Sequence, residues 1–263
     1  MNAERLRQLA EATEAEALFQ MHSAPDEGEM KLLGGSVLRI GGVTAIRTDA
    51  FPGFSISRVM GFSTPPEDSL ISEIEKFYDG REGIFALQIP PYLVTENVSE
   101  LLAGRGYEIR NKWARFVRDT SGIESGSTSL AIREIGIDEA EVFAGLVTSA
   151  FDFPEVTKPL VFSVVGSNGW KFFMAFDGMK PVSTGCVFFN GEMAWNCFAT
   201  TLPEYRGKGA QGALLKARID AARSAGCSHI TTETHLDNAS YRNMLRYGYT
   251  LLYERSNYVT PHS

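Results

Sequence analysis

Cysteine is scarce in this chain: three in 263 residues, with no CxxC pair. That excludes a disulfide framework and a zinc knuckle, so no metal is expected. Long hydrophobic runs are missing too, and nothing approaches the ~18–20 apolar residues of a membrane-crossing helix. Met1–Gln20 is acidic and lacks the basic-then-apolar pattern of a secretion signal, so a cytoplasmic chain with no membrane partner is expected. Positive charge is not in excess. Lys and Arg number 25 against 32 Asp and Glu, a net charge of −7, which argues against nucleic acid as a partner. What is there is ordinary globular composition, 44% hydrophobic and 22% charged. At roughly 150 residues per domain, the length suggests two domains.

Leu6, Leu9, Ala10, Ala17 and Leu18 recur at helical spacing and predict a helix over Asn2–Gln20. Strands are expected over Ser36–Ile40 and Val43–Thr48, then a Phe51–Gly53 turn and a strand over Ser55–Phe62. A helix over Glu67–Tyr78, a strand over Ile84–Ile89, a short helix over Asn97–Ala103 and a long strand over Tyr107–Val117 close the first half. Residues 120–128 are polar and rich in glycine and serine, a linker between domains 1–119 and 129–263. Beyond it come a strand over Ser129–Glu134, a helix capped by Asp138 and ending near Ala150, and a second helix over Glu155–Val165. Trp170–Phe176, Val182–Phe189 and Glu192–Thr200 read as three strands joined by Asp177-Gly178 and Asn190-Gly191, hairpin dipeptides in which both residues take positive φ. The result is an antiparallel meander with Cys186 opposite Trp195. A helix over Gly209–Ala225, a strand over Ser228–Thr234, a helix over Asp237–Arg246 and a closing strand over Tyr249–Val259 complete the order. The two halves end alike, with Gly106-Tyr107 and Gly248-Tyr249 in matching places, which reads as a weak internal repeat.

Chemistry concentrates between Pro203 and Leu215. The glycines there let successive N–H groups converge just before a helix, whose amino end carries about half a positive charge. Arg206 and Lys208 add two cations, so the stretch suits a pyrophosphate; a solvated basic turn before a core helix is the bland alternative. Gly207-Lys-Gly209-Ala-Gln-Gly212 also matches the GxGxxG dinucleotide fingerprint, with Glu233 about twenty residues on. Against that stand the antiparallel hairpins before it, the Thr201–Arg206 loop, and the shortness of the chain that follows. Lys208 precedes Gly209, so the stretch is not a P-loop.

Arg206-x-x-Gly209-x-Gln211, after Pro203 and before Leu214-Leu215, resembles motif A of the GCN5-related N-acetyltransferases (GNAT). The order of elements from Ser129 to Val259 is similar to that fold throughout. The resemblance implies an α+β tandem acyl-CoA N-acyltransferase fold, with a mixed, mostly antiparallel sheet flanked by helices in each half and a degenerate first copy. It implies acetyl-CoA as cosubstrate, its pyrophosphate held at Arg206, Gly207, Lys208, Gly209, Ala210, Gln211 and Gly212. The pantetheine and thioester would lie along the backbone of Phe198, Ala199, Thr200 and Thr201, with Asn238 and Asn243 flanking the same arm. The implied reaction is direct acetyl transfer to a primary amine of a small molecule or peptide. Two positions depart from the family pattern: Gln211 stands where Gly or Ala is usual, and Met244 where many members place an acidic tyrosine. Tyr241 and Tyr247 sit one helical turn to either side, and Tyr247 is the candidate acid.

Acetyl transfer needs a group that accepts the amine's proton. Glu233 and His235 alternate onto one face of the strand after the motif and are the candidates; an edge carboxylate and a surface imidazole are the alternatives. Cys186, Cys197 and the aromatic residues around them read as core. In the first half, Ser63–Asp68 offers two prolines and two carboxylates, which cannot cradle a phosphate. That half is expected to complete the acceptor cleft or to mediate self-association as a homodimer. A catalytically silent CoA-binding sensor is the alternative from a different class, favoured by Met244 and Gln211.

Overall fold

The protein is described from a computed structural model covering residues 1–51, 53–80, 83–124 and 127–260. Pro52 of the expected turn and Ser125–Gly126 of the expected linker lie outside the described residues. The first half carries α1 (Ala3–Ser23), α2 (Glu27–Leu33), β1 (Gly35–Ile40), β2 (Val43–Thr48), β3 (Arg58–Met60), α3 (Asp68–Tyr78), β4 (Ala86–Ile89), α4 (Glu96–Gly104) and β5 (Glu108–Asp119). The second carries β6 (Ala131–Glu134), α5 (Ala140–Phe151), α6 (Pro159–Phe162), β7 (Trp170–Asp177), β8 (Lys180–Asn190), β9 (Met193–Thr201), α7 (Ala210–Ser224), β10 (His229–His235), α8 (Ala239–Arg246) and β11 (Thr250–Val259). Among the described residues no helix is long and apolar enough to cross a membrane.

Two compact units share these elements. Unit 1 is Met1–Phe116 with Glu233–Asn243 and Leu251–Ser263; unit 2 is Val117–Thr232 with Met244–Thr250. In unit 1 the strands run β1-β2-β3-β4-β11-β5. β3 and β4 are parallel, joined by the helical crossover α3. The strand expected to close the second half thus lies in unit 1, antiparallel to β4. Gln88 Nε2 donates to Asn257 Oδ1 at 2.7 Å and Asn257 Nδ2 to Asn111 Oδ1 at 2.8 Å, an amide ladder across β4, β11 and β5. Val59, Ile71, Ile74, Leu87, Val98 and Leu102 fill the core beneath, where the Tyr78 and Phe85 rings stack at 3.9 Å.

Unit 2 has the order β10-β9-β8-β7-β6, with the end of β5 beside β10 through Thr120 N–H to Ser228 O at 3.1 Å. β9 and β10 are parallel, again with a helical crossover, α7. Both units therefore repeat strand, loop, helix, parallel strand in an otherwise mostly antiparallel arrangement flanked by helices. This is the tandem architecture expected for the α+β class.

Several local expectations are corrected. The hairpin register pairs Asp177 with Lys180 and Asn190 with Met193, so the loops are Gly178-Met179 and Gly191-Glu192. Only the glycine of each has positive φ (59° and 57°), as a type II′ turn requires. Gly41-Gly42, at 49° and 89°, is the loop with both residues in that region. The register also sets Cys186 opposite Cys197, with Sγ atoms 2.9 Å apart, and Phe188 opposite Trp195. Ser55–Phe62 contributes only the three residues of β3. Asp138 caps nothing, because it lies inside a 3₁₀ turn, Ile137–Glu139. Over Glu155–Val165 a 3₁₀ turn and the one-turn α6 replace a continuous helix, with Pro159 opening α6 where its missing N–H costs nothing. α2 was not expected, although Asp26 and Glu29 form a reciprocal capping box at its start.

Candidate functional site

Unit 2 presents a glycine loop at the amino end of α7. Gly207 and Gly209 take φ of 77° and 80°, a region that side chains other than glycine resist. A Cβ on Gly209 would also come within 2.9 Å of Ser127 O. Arg206, Gly207 and Lys208 are exposed, and Lys208 Nζ lies 4.3 Å over the Tyr205 ring. The first intrahelical bond runs from Ala213 N–H to Gly209 O at 3.2 Å. The amides of Ala210, Gln211 and Gly212 are thus the orphan donors of the first turn, aligned with the helix dipole. The two cations and these amides make an arrangement that can cradle an anion.

Beside the loop, β9 departs from regular pairing. Its parallel register with β10 covers Met193, Ala194 and Trp195 only. Its antiparallel register with β8 shifts between Thr184 and Cys186, a bulge that Phe198 accommodates at φ 50°. Thr184 Oγ1 donates to Phe198 O at 2.8 Å, pinning the bulge from β8. Ala199, at its apex, is exposed. Phe198–Thr201 lies outside the β9–β10 register, and its backbone groups other than the Thr200 carbonyl are where an extended amide-bearing chain can bond.

The sequence candidates divide between the units. Phe198–Thr201, Arg206–Gly212 and Tyr247 fall in unit 2; Glu233, His235, Asn238 and Asn243 fall in unit 1. Tyr247 packs onto α7: a Cβ at Gly212 would lie 2.1 Å from its hydroxyl. The last glycine of the GxGxxG match thus serves a tyrosine contact, which removes the local reason for a dinucleotide reading. The Gln211 side chain turns toward the strands and not toward the cradle, its Nε2 2.7 Å from Thr200 O.

In unit 1, Asn238 Oδ1 accepts from Tyr241 N–H at 2.7 Å and Thr234 Oγ1 at 3.1 Å, so it caps α8. Asn243 is half-buried on that helix, and Tyr241 meets the Phe116 ring edge-on at 5.0 Å. His235 is exposed and meets Trp113 at 5.3 Å between ring centroids.

Glu233 is held in a buried ion network. Arg255 Nη2 lies 2.5 Å from its carboxylate, Arg58 Nη1 3.3 Å and Arg115 Nη2 3.5 Å. Glu14 bonds Arg115 and Arg255, and Glu11 accepts from Arg255 and from Tyr253 Oη. Burial would raise Glu14, but Arg115, Arg255 and Arg58 together hold its carboxyl well below the ordinary value. Glu233 moves the other way: burial and then the Glu14 charge push it up against the pull of the same guanidiniums. Sequence reading missed this network. The signals were available, since Arg115 sits inside the apolar run Trp113–Val117, and Glu11 and Glu14 share one face of α1. Among the described residues no group of three or more His, Cys, Asp or Glu side chains is placed to hold a metal ion.

Residues 147–249 match the model of the Acetyltransferase (GNAT) family. No curated protein matches the chain at a significant level. Among solved structures, a GCN5-related N-acetyltransferase from Kribbella flavida superposes with a TM-score of 0.63 at 13% identity, covering 93% of this chain and 95% of that one. A tandem GNAT protein from the clavulanic acid biosynthesis pathway does so at 0.61 and 13% identity, covering 85% and 80%. A conserved protein of unknown function from Staphylococcus epidermidis gives 0.61 at 12% identity, covering 87% and 94%. These likenesses establish the fold, a tandem GNAT architecture; the family's general chemistry is acyl transfer.

Proposed function

We propose that the chain is an N-acetyltransferase that binds acetyl-CoA through unit 2 and passes the acetyl group to a primary amine of a small molecule or peptide. The observation that carries the reading is the pairing of an anion cradle at α7 with the bulged strand β9 in one unit. A pyrophosphate suits the first and an amide-bearing arm suits the second, and coenzyme A joins the two. In the reaction the amine nitrogen attacks the thioester carbonyl carbon, the C–S bond breaks, and the amine loses one proton as the thiolate gains one. Glu233 or His235, on one face of β10, accepts the first proton, and the Tyr247 phenol or water supplies the second. The first half, whose α3 amino end carries Asp68 bonded by Arg105 Nη2 at 2.7 Å, binds no coenzyme in this reading.

Calorimetry tests it. Arg206→Ala removes a charge-assisted contact worth roughly 1.5–3 kcal/mol, so CoA affinity should fall about tenfold or more. Gly209→Val should abolish binding, and the stoichiometry should be one CoA per chain. Unchanged affinity in both variants, or tight NADH binding without CoA binding, would overturn the assignment. One observation favours a silent CoA sensor: Glu233 is already engaged by three guanidiniums. Thiol release across an amine panel separates the two readings. If turnover is found, Glu233→Gln and His235→Gln show through the acid limb of the pH–rate profile which of them is the base.

A further inference from the structure

The Gln211 amide reaches out of the first turn of α7 into a cluster of hydroxyls and carbonyls on β8 and β9. Its Nε2 lies 2.7 Å from Thr200 O, 3.0 Å from Thr201 Oγ1, 3.0 Å from Ser183 Oγ and 3.4 Å from Thr184 O. Ser183 Oγ donates to the same Thr200 carbonyl at 2.5 Å and lies 2.8 Å from Thr201 Oγ1. Thr184 Oγ1 meets Thr200 Oγ1 at 2.8 Å and donates to Phe198 O at 2.8 Å. Ser183, Thr184 and Thr200 are buried. The Thr200 carbonyl has two lone pairs and two donors, so it is fully used inside the protein.

We propose that Gln211 is a positioning residue that sets the distance between the anion cradle and the bulged strand. This proposal rests on the coenzyme reading given above. The backbone amide of Gln211 is itself one of the cradle's donors, and the bulge lies two residues before Thr200, so a single side-chain amide bridges the two places where one coenzyme must be gripped at once. A ligand that spans both gains from a preset spacing, because it then loses no affinity to reorganising the protein. A ligand that touches only the cradle gains nothing from it. The position has a glycine or alanine in the family pattern, and neither could make this bridge. Gln211 thus does not crowd the phosphates; it ties the helix that holds them to the strand.

The test compares two probes, coenzyme A and its nucleotide half, adenosine 3′,5′-bisphosphate, titrated calorimetrically into the full chain and into Gln211→Ala. The loss of one bridging hydrogen bond should weaken coenzyme A by about five- to tenfold and leave the nucleotide half unchanged within about twofold. Gln211→Glu, which sets a carboxylate against the Thr200 carbonyl with no donor, should widen the contrast. Equal weakening of both probes at an unchanged melting temperature would overturn the proposal by placing Gln211 at the phosphates, and no weakening of either would overturn it by showing that the spacing does not depend on it. A wild-type chain that binds neither probe would sink the coenzyme reading and this proposal together. A wild-type chain that binds both, with a variant showing no contrast, would sink the proposal alone. Melting temperatures of the variants, read in parallel, identify a folding defect, which would weaken both probes alike.

Discussion

Gly212 has a sharp consequence for stability. It is the third residue of α7, and an alanine methyl there would start 2.1 Å from Tyr247 Oη and 3.0 Å from Cζ, where ordinary contact begins near 3.4 Å. The phenol has to retreat by roughly 1.3 Å or leave the helix face, and displacements of this kind in a packed site cost about 1–3 kcal/mol. In the opposite direction, glycine to alanine within a helix stabilises by up to about 1 kcal/mol through backbone entropy. Gly212→Ala should therefore change stability by between zero and about 3 kcal/mol in the destabilising direction. In a Tyr247→Ala background the obstacle is gone, and the same substitution should stabilise by up to about 1 kcal/mol. Urea titrations of the four proteins give the coupling directly. If Gly212→Ala has the same effect in both backgrounds, Tyr247 does not rest on this turn.

The ion network predicts a pH dependence. Glu14 is depressed below its ordinary value of 4.5, so its contribution is full above that pH and is lost as pH falls through its lower folded value. Glu14→Gln should lower stability at neutral pH by about 3–5 kcal/mol, because Arg115 and Arg255 lose a buried partner; its stability curve should also be flatter below pH 4.5 than the wild type's. An unchanged acid limb by thermal melts between acid and neutral pH would contradict the assignment. The β8–β9 register predicts that a mild thiol oxidant joins Cys186 to Cys197 and leaves Cys227 reduced, read by peptide mass mapping as the loss of two hydrogens. A crosslink involving Cys227, or none, would reject the register.

Local structure was the legible part. The hairpin between β1 and β2 was placed correctly, from Ile40 to Val43, because a two-residue hairpin is decided within four residues, and the motif loop announced its own helix end. The meander strands were found, but their register slipped by two residues, since Asn-Gly and Gly-Glu loops look alike until backbone angles are known. The buried face of α1 was read only in part, for a different reason. Periodicity selected Ala10, Ala17 and Leu18, which are buried, but also Leu6 and Leu9, both only half-buried, and it passed over Glu11 and Glu14, which are fully inside. Carboxylates enter a core only when distant cations meet them, and Arg58, Arg115 and Arg255 arrive from three separate strands. No window of sequence contains that information. The Gln211 bridge was hidden likewise: the substitution was visible, but the direction of its side chain depends on strands up to 28 residues earlier.

The place of β11 bears on how the protein is made. β11 lies between β4 and β5 in unit 1, yet about 130 residues separate the end of β5 from its start. At ribosomal rates of roughly 5–20 residues per second, that gap lasts on the order of ten seconds. Through it, β4 and β5 have no neighbour between them, and strand edges left open in this way invite pairing with other chains. Glu11 and Glu14 meanwhile wait for Arg255, the cation that arrives last. The order of synthesis therefore runs against the order of assembly. The half made first is the half finished last, and its yield in the cell should depend on how well its open edges are shielded until β11 emerges.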